Sequence, residues 1–312
     1  MVDISIVIPV FRSAQTLVEL HRRVVAVLTA AGKTFEIIFV EDCGGDNSWA
    51  EIKALAGTDE RVRGFRMSRN YGQHNAILAG TRVANGSLIV TMDDDLQHPP
   101  EELPKLLAKI NEGHDVVYGS PVQAQHGLVR NLCSLVTKLA LQTAMGAKTA
   151  RHASAFRVFK THLRDAFSGC QSPSVNIDVL LTWATAKFTS CPVRHDARGH
   201  GVSGYDTRKL LRHAMNMMTG FSTAPLRLVS IIGFFFALFG ASIFAYVIIR
   251  YLVQGGSVPG FSFLASIVAI FSGAQLLALG MVGEYIARIY ERNMGKPTYL
   301  ICETTTLGKG TP

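Results

Sequence analysis

The run Met92-Asp93-Asp94-Asp95-Leu96-Gln97-His98-Pro99-Pro100-Glu101 sets three carboxylates and an amide directly behind an apolar stretch, 88–92. Acids crowded at a strand end are costly unless something neutralises them, and a hard divalent cation carrying a diphosphate is the usual partner. A second acidic pair, Glu41-Asp42, closes another apolar run, 35–40. Were both runs strands of one parallel sheet, the two clusters would share a rim, and such sheets bind ligands off the carboxyl ends of their strands. The chain contains no GxGxxG and no GxxxxGK[ST], so neither a dinucleotide fold nor a P-loop is favoured. A nucleotide held by carboxylates and a metal remains.

The elements that must position these groups alternate. Strands are predicted over 4–11, 35–40, 62–67, 88–92 and 116–118, with helices over 16–31, 48–55, 74–83 and 101–111 between them. Strand–helix alternation with short turns predicts an α/β fold with a mostly parallel sheet covered on both faces. After Ser120 the alternation stops. An amphipathic helix is expected over 126–147, short strands and loops over 151–204, and a helix lying in the headgroup plane over 205–225, where Arg208, Lys209, Arg212 and His213 interleave with Leu and Met.

The 312-residue chain is 48% hydrophobic, with a mean hydropathy of +0.23. The excess sits at one end. The nearly uncharged stretches 228–249 and 261–283 are about 22 and 23 residues long, enough to cross a ~30 Å hydrocarbon layer. The expected division is a cytosolic domain over 1–204, the interfacial helix over 205–225, spans over 226–254 and 260–287, and a cytosolic tail over 288–312. The opening MVDISIVIPVF does not read as a signal peptide. Arg208, Lys209, Arg212 and Arg227 precede the first span and Arg288, Arg292 and Lys296 follow the second, whereas the turn between them offers only Arg250. That asymmetry predicts cytoplasmic termini, with a bacterial inner membrane as the setting.

Five cysteines form neither a CxxC pair nor a zinc spacing, which fits reduced thiols facing the cytosol. The net charge of +8 gathers beside the spans, so an anionic membrane surface or a phosphate ligand explains it better than nucleic acid does. Gly233, Gly240 and Gly273 within the spans would permit the close helix packing of a homo-oligomer.

IPVF, IFVEDCGGDNS, SRNYGQHNAILAG, MDDDLQHPPEEL and the Arg198–Tyr205 stretch RGHGVSGY resemble, in order and spacing, the family 2 glycosyltransferases of the polyprenyl-phosphate type. That group includes dolichyl-phosphate mannose synthase and bacterial undecaprenyl-phosphate glycosyltransferases. The resemblance covers nearly the whole chain, and DLQHPPE is its most specific element. It implies a GT-A fold, a nucleotide-diphosphate sugar donor, Mg²⁺ or Mn²⁺, and transfer to a polyprenyl phosphate with inversion at the anomeric carbon. Carried over to this chain, Glu41, Asp42, Asp93 and Asp94 would form the nucleotide side, with Pro9 and Phe11 packing beside the base. Asp93, Asp95 and Gln97 would hold the metal, and Arg130, Arg157, Arg198 and Ser203 would surround the acceptor phosphate. Asp93, Asp95, Arg157 and Arg198 would carry catalysis.

Two departures stand out. Relatives often continue the first strand with Asn-Glu-Glu, where this chain has Arg12-Ser13-Ala14, and several place an acid before the aromatic–Arg pair, where this chain has Ala155. The missing acid argues for a phosphate acceptor over a hydroxyl. A phosphate monoester, with a second pKa of about 6, is already mostly a dianion at cytosolic pH and needs no base. Two other readings are a polysaccharide synthase, which would carry a Gln-x-x-Arg-Trp element and more spans, and a non-catalytic nucleotide-sugar-binding membrane scaffold, supported by Ala155 alone. His74 and His98 are assigned no catalytic role, Asp178 is expected as an N-cap, and Trp49 and Trp183 as packing residues.

Overall fold

A computed structural model of the protein describes residues 2–121, 153–172, 175–196, 223–254 and 260–305. In chain order the elements are β1 (Ile4–Val10), α1 (Leu17–Ala30), β2 (Phe35–Glu41), α2 (Ser48–Thr58), β3 (Val62–Met67), α3 (Gln73–Val83), β4 (Leu88–Thr91), α4 (Leu103–Ile110), β5 (Val116–Pro121), β6 (Arg157–Lys160), α5 (Ile177–Ala184), β7 (Phe188–Val193), α6 (Ala224–Gln254), α7 (Phe261–Asn293) and β8 (Ile301–Thr304). Short 3₁₀ turns, Pro100–Glu102 and Thr161–Ala166, precede α4 and follow β6.

The strands form one 8-stranded sheet in the order β7-β5-β6-β4-β1-β2-β3-β8. The pairs β1–β2, β1–β4, β2–β3 and β5–β7 are parallel, and β4–β6, β5–β6 and β3–β8 are antiparallel. Alternate residues of a strand face opposite sides. Ile4, Ile6, Ile8 and Val10 of β1 accordingly join a core against α1, α2 and α4, while Val7 joins the other core against α3 and α5. Burial on both faces explains why β1 and β2 read as mostly apolar runs without polar alternation, the exceptions within them, Ser5 and Glu36, being hydrogen-bonded to one another. The chain winds from β1 to β2 and β3, then returns to the other side of β1 for β4. The crevice where strand order reverses therefore opens between the ends of β1 and β4, where a doubly wound sheet takes its ligand.

Helices α6 and α7, with 31 and 33 residues, are long and apolar enough to cross a membrane, and their candidate spans are not buried by the rest of the protein. They touch one another through Gly240, where an added Cβ would lie 3.1 Å from Phe271. Beyond α7 the chain does not simply trail away. Thr298 Oγ1 donates to Cys170 O (3.3 Å), Leu300 O accepts from Ser68 N (2.9 Å), and residues 301–304 pair antiparallel with β3 as the sheet's edge strand. The sequence reading placed no strand there.

Candidate active site

A cleft of about 280 Å³ opens at the reversal point, lined by Pro9, Val10, Phe11, Asp42, Asn70, Gly72, Gln73, Asp93, Asp94 and Asp95. Its walls are the last residues of β1 and the segments that follow β1, β2, β3 and β4. Among the described residues, the non-glycine positions with left-handed backbone are Arg12 (φ 57°), Cys43 (φ 52°) and Leu96 (φ 62°). Each sits in one of these loops, where uncommon backbone geometry is tolerated because surrounding contacts hold it.

Those contacts are specific. Asp42 accepts from Tyr71 N (2.6 Å) through Oδ1 and from Gly72 N (2.8 Å) through Oδ2, which ties the end of β2 to the entry of α3. Burial raises its carboxyl above the usual carboxylate range despite these two backbone bonds. Asp94 Oδ2 accepts from Phe11 N (3.0 Å), and Asp94 O accepts from Thr16 Oγ1 (2.6 Å). Burial raises the Asp94 carboxyl too, with hydrogen bonds from Ser13 and Phe11 opposing. Asp94 thus joins the β4 loop to the β1 loop. Asp93 and Asp95 flank it along the cleft. Asp93 Oδ1 accepts from Gln73 Nε2 (2.5 Å), and Asp95 Oδ1 accepts from the Gln97 amide (3.1 Å), closing the turn that carries Leu96 into its left-handed conformation.

Pro9, Phe11, Asp42, Asp93, Asp94 and Asp95 therefore meet in one cleft, and other expected residues do not. Glu41 points away from it: adjacent strand residues face opposite sides, and its carboxylate accepts from Gly44 N (2.6 Å) and Arg66 Nε (3.2 Å). Gln97 does not line the cleft. Its main chain is engaged with Asp95 and, through its carbonyl, with Asp196 N (2.9 Å).

Arg157 requires a correction. Only 1% exposed on β6, it pairs with Asp178, whose Oδ1 also accepts from the Tyr118 hydroxyl (3.0 Å). A guanidinium committed to a buried carboxylate is not presented to a phosphate, and Arg157 does not line the cleft. Asp178 is likewise not the N-cap. Asn176 caps α5 by accepting from Val179 N (3.1 Å), and Asp178 follows in the first turn as the counter-ion of Arg157. Arg130, Arg198, Ser203 and all but residues 223–225 of the expected headgroup-plane helix lie outside the described residues, and 224–225 belong to α6. Asp196, which reaches Gln97, is two positions before Arg198 in sequence.

The two histidines near the site are packing residues. His98 stacks on Phe156 (5.5 Å) and meets His195 edge-on (4.9 Å), and burial, then His195, pushes its pKa down to about 4. His74 joins α3 to α5 through Ile177 N and Asn176 Nδ2, both at 3.4 Å. Trp49 is buried, whereas Trp183 is 60% exposed rather than packed. Ala155 O accepts from Thr91 Oγ1 (2.7 Å), so the position where relatives carry an acid adjoins the end of β4.

Among the described residues no three His, Cys, Asp or Glu side chains converge as a metal cage. The carboxylates of Asp93 and Asp95 on this cleft suit a different arrangement. Mg²⁺ and Mn²⁺ favour oxygen donors and are commonly held by one or two carboxylates with the remainder supplied by substrate phosphates and water. Asp93 and Asp95 fit a cation that arrives with a diphosphate.

Residues 5–164 match the model of the family described as Glycosyl transferase family 2. Curated relatives cover almost the whole chain. Undecaprenyl-phosphate 4-deoxy-4-formamido-L-arabinose transferase of Salmonella dublin is 35% identical over 302 residues, 96% of this chain and 92% of the relative. The protein of that name from Shewanella sediminis is 36% identical over 301 residues, covering 96% and 91%. Among solved structures, glucosyl-3-phosphoglycerate synthase from Mycobacterium tuberculosis in complex with Mn²⁺, uridine diphosphate and phosphoglyceric acid aligns with a TM-score of 0.53 at 15% identity, covering 70% of this chain and 76% of that one. Mannosyl-3-phosphoglycerate synthase from Rubrobacter xylanophilus gives 0.51 at 16%, covering 73% and 74%. At such identities these likenesses speak to the GT-A fold alone.

Proposed function

The chain belongs to glycosyl transferase family 2, and from that premise we propose that it transfers a monosaccharide from a nucleotide-diphosphate sugar to a polyprenyl phosphate at the cytoplasmic face of a membrane. The observation that carries the proposal is the pair Asp93 and Asp95 on the cleft at the sheet's reversal point, with Asp94 between them turned to the β1 loop.

Asp42 and the Pro9–Phe11 end of β1 would bound the nucleoside, and Asp93 and Asp95 would face its diphosphate. A divalent cation bound there would supply Lewis-acid stabilisation of the charge on the departing diphosphate. The residues of this chain orient the donor and keep the anomeric carbon facing the acceptor. An acceptor phosphate oxygen forms the new bond to that carbon as the bond to the diphosphate oxygen breaks. Inversion follows from a single displacement. With a second pKa near 6 the acceptor is mostly a dianion at cytosolic pH and surrenders no proton, so Ala155 is compatible with catalysis.

The relatives' names give undecaprenyl phosphate as the lipid and an aminoarabinose derivative as the sugar, which makes a pentose the first donor to test. The orientation draws support from β8. The chain leaving α7 is paired into the sheet, which favours that end of the apolar pair lying on the catalytic domain's side, and Arg227, Arg288, Arg292 and Lys296 near it favour a cytoplasmic placement by the positive-inside bias.

The test uses the full chain in detergent with Mg²⁺ or Mn²⁺, undecaprenyl phosphate and a panel of nucleotide sugars. Sugar should move to the lipid, and Asp95→Asn should lower the transfer by at least about 100-fold. Transfer to a free glycan hydroxyl but not to lipid phosphate would defeat the proposal. Equal metal-dependent nucleotide-sugar binding by the wild type and Asp95→Ala would favour the scaffold.

A further inference from the structure

Glu303, on the edge strand that follows the second apolar helix, has both carboxylate oxygens engaged. Oε2 accepts from Trp49 Nε1 (2.7 Å) and Oε1 from Arg66 Nη1 (2.8 Å). The two partners bracket one loop. Arg66, opposite Glu303 in the β3–β8 register, turns its Nε to Glu41 (3.2 Å), the last residue of β2. Glu41 in turn accepts from Gly44 N (2.6 Å). Trp49 lies in the first turn of α2, just beyond the loop. Glu303 therefore reaches the loop 42–47 from its start, through Arg66 and Glu41, and from its end, through Trp49.

The loop needs such bracing. Cys43 and Gly45 both have left-handed backbone, at φ 52° and 76°. Gly44 is pressed against the β1 loop: a Cβ there would lie 2.8 Å from Arg12 N, and its carbonyl accepts from Arg12 Nε (2.9 Å). Glu41 is 2% exposed and uses Arg66 as its counter-ion. The Arg66 side chain, one-third exposed at 33%, could swing to solvent if Glu303 did not hold its other arm. Thr305 adds a backbone tie, exchanging hydrogen bonds with Gly64 through Oγ1 (2.7 Å) and its own amide (2.9 Å).

We infer that Glu303 is a positioning residue for the donor cleft, fixing the 42–47 loop and with it Asp42. The edge strand thereby makes the geometry of the nucleotide side depend on chain that has already passed through the apolar hairpin. The contact chain stands apart from the reaction proposed above; only its consequence for donor binding rests on that reading.

Hydrogen–deuterium exchange on the full chain in detergent, without nucleotide or lipid, tests it directly. Glu303→Ala should speed exchange at 43–47 by about three- to tenfold, as expected for a partly exposed, charge-assisted bond, and leave α1 and α4 unchanged. Glu303→Gln, which keeps an acceptor for Trp49, should fall between wild type and Glu303→Ala, and it carries the test if the alanine variant does not fold. Thr304→Ala, on the same strand but outside the relay, should leave the loop as it is. In the transfer assay the alanine variant should raise KM for the nucleotide sugar severalfold with kcat nearly constant. Faster exchange confined to 301–305 and β3, with 43–47 unchanged, would overturn the inference. Because exchange is read without substrate, its outcome is independent of whether the proposed reaction is correct.

Discussion

Removing Asp178 tests whether Arg157 is a structural cation or a phosphate ligand. The pair is enclosed, with Arg157 1% and Asp178 7% exposed, and Asp178 is also the acceptor for the Tyr118 hydroxyl. Among the described residues Arg157 Nε has no acceptor, so Asp178 is its principal compensation. Asp178→Ala therefore strands a buried cation and a buried phenol. Breaking a buried pair from one side costs about 3–5 kcal/mol. At roughly 2–4 °C per kcal/mol for a domain of this size, the melting temperature should fall by about 6–20 °C. Replacing the cluster with apolar residues, as Tyr118→Phe, Arg157→Met and Asp178→Leu together, should recover most of the loss, because charge and counter-charge leave together. Thermal unfolding in detergent, followed by circular dichroism, reads the stability, and the lipid-transfer assay reads activity on the same samples. A phosphate ligand would behave differently. Arg157→Met would then melt within about 2 °C of wild type yet lose transfer, and the triple variant would stay inactive; either result refutes the structural assignment.

Asp95→Asn should lower transfer by at least about 100-fold, the scale of losing a group that meets developing charge, while the melting temperature stays within about 2 °C. Gly86→Ala should melt lower, because its Cβ would lie 2.6 Å from Ser5 N and 2.7 Å from Ile4 C; overpacking against backbone costs about 1–3 kcal/mol, and activity per folded molecule should be unaffected. Glu36 gives the pH dependence. Burial opposes its ionisation, but hydrogen bonds from Ser5, Arg63 and the Asn85 amide prevail and hold its carboxyl below its ordinary value of 4.5. The folded state then binds fewer protons than the unfolded one, so this stabilisation is present above pH 4.5 and lost as pH falls through the depressed value. Glu36→Gln should show a shallower loss of melting temperature between pH 5 and 3 than wild type.

The first half of the sheet was legible because its signal is local. Strands buried on both faces leave apolar runs, and the acids at their ends show where the rim lies. β3 matches its predicted bounds, and the others in that half differ by one to three residues at an end. β6 and β8 were less legible for the opposite reason. Each has four residues, with partners set by chain far away, and Ile-Cys-Glu-Thr has no periodicity that distinguishes a strand from a tail. Adjacent acids in sequence also hid a division that strand geometry could have supplied. Glu41 and Asp42 look alike in a motif, but a period of two sends them to different neighbours. Arg157 was misread because a motif records residue type and not the carboxylate 21 positions later that occupies it.

The edge strand also fixes an order of assembly. Arg66 and Glu303 are 237 positions apart. At a synthesis rate of about 5–20 residues per second, the outer edge of β3 waits roughly 10–50 s for its partner. During that interval the rest of the sheet can form, but one row of backbone donors and acceptors stays open to any passing strand. Arg63 and Arg66 on β3 are well suited to such a wait, since charge on an edge discourages pairing between copies. A nascent chain that stalls before residue 301 leaves β3 in place of β8 as the sheet's edge, so in incomplete copies the charge that guards against pairing is that of Arg63 and Arg66.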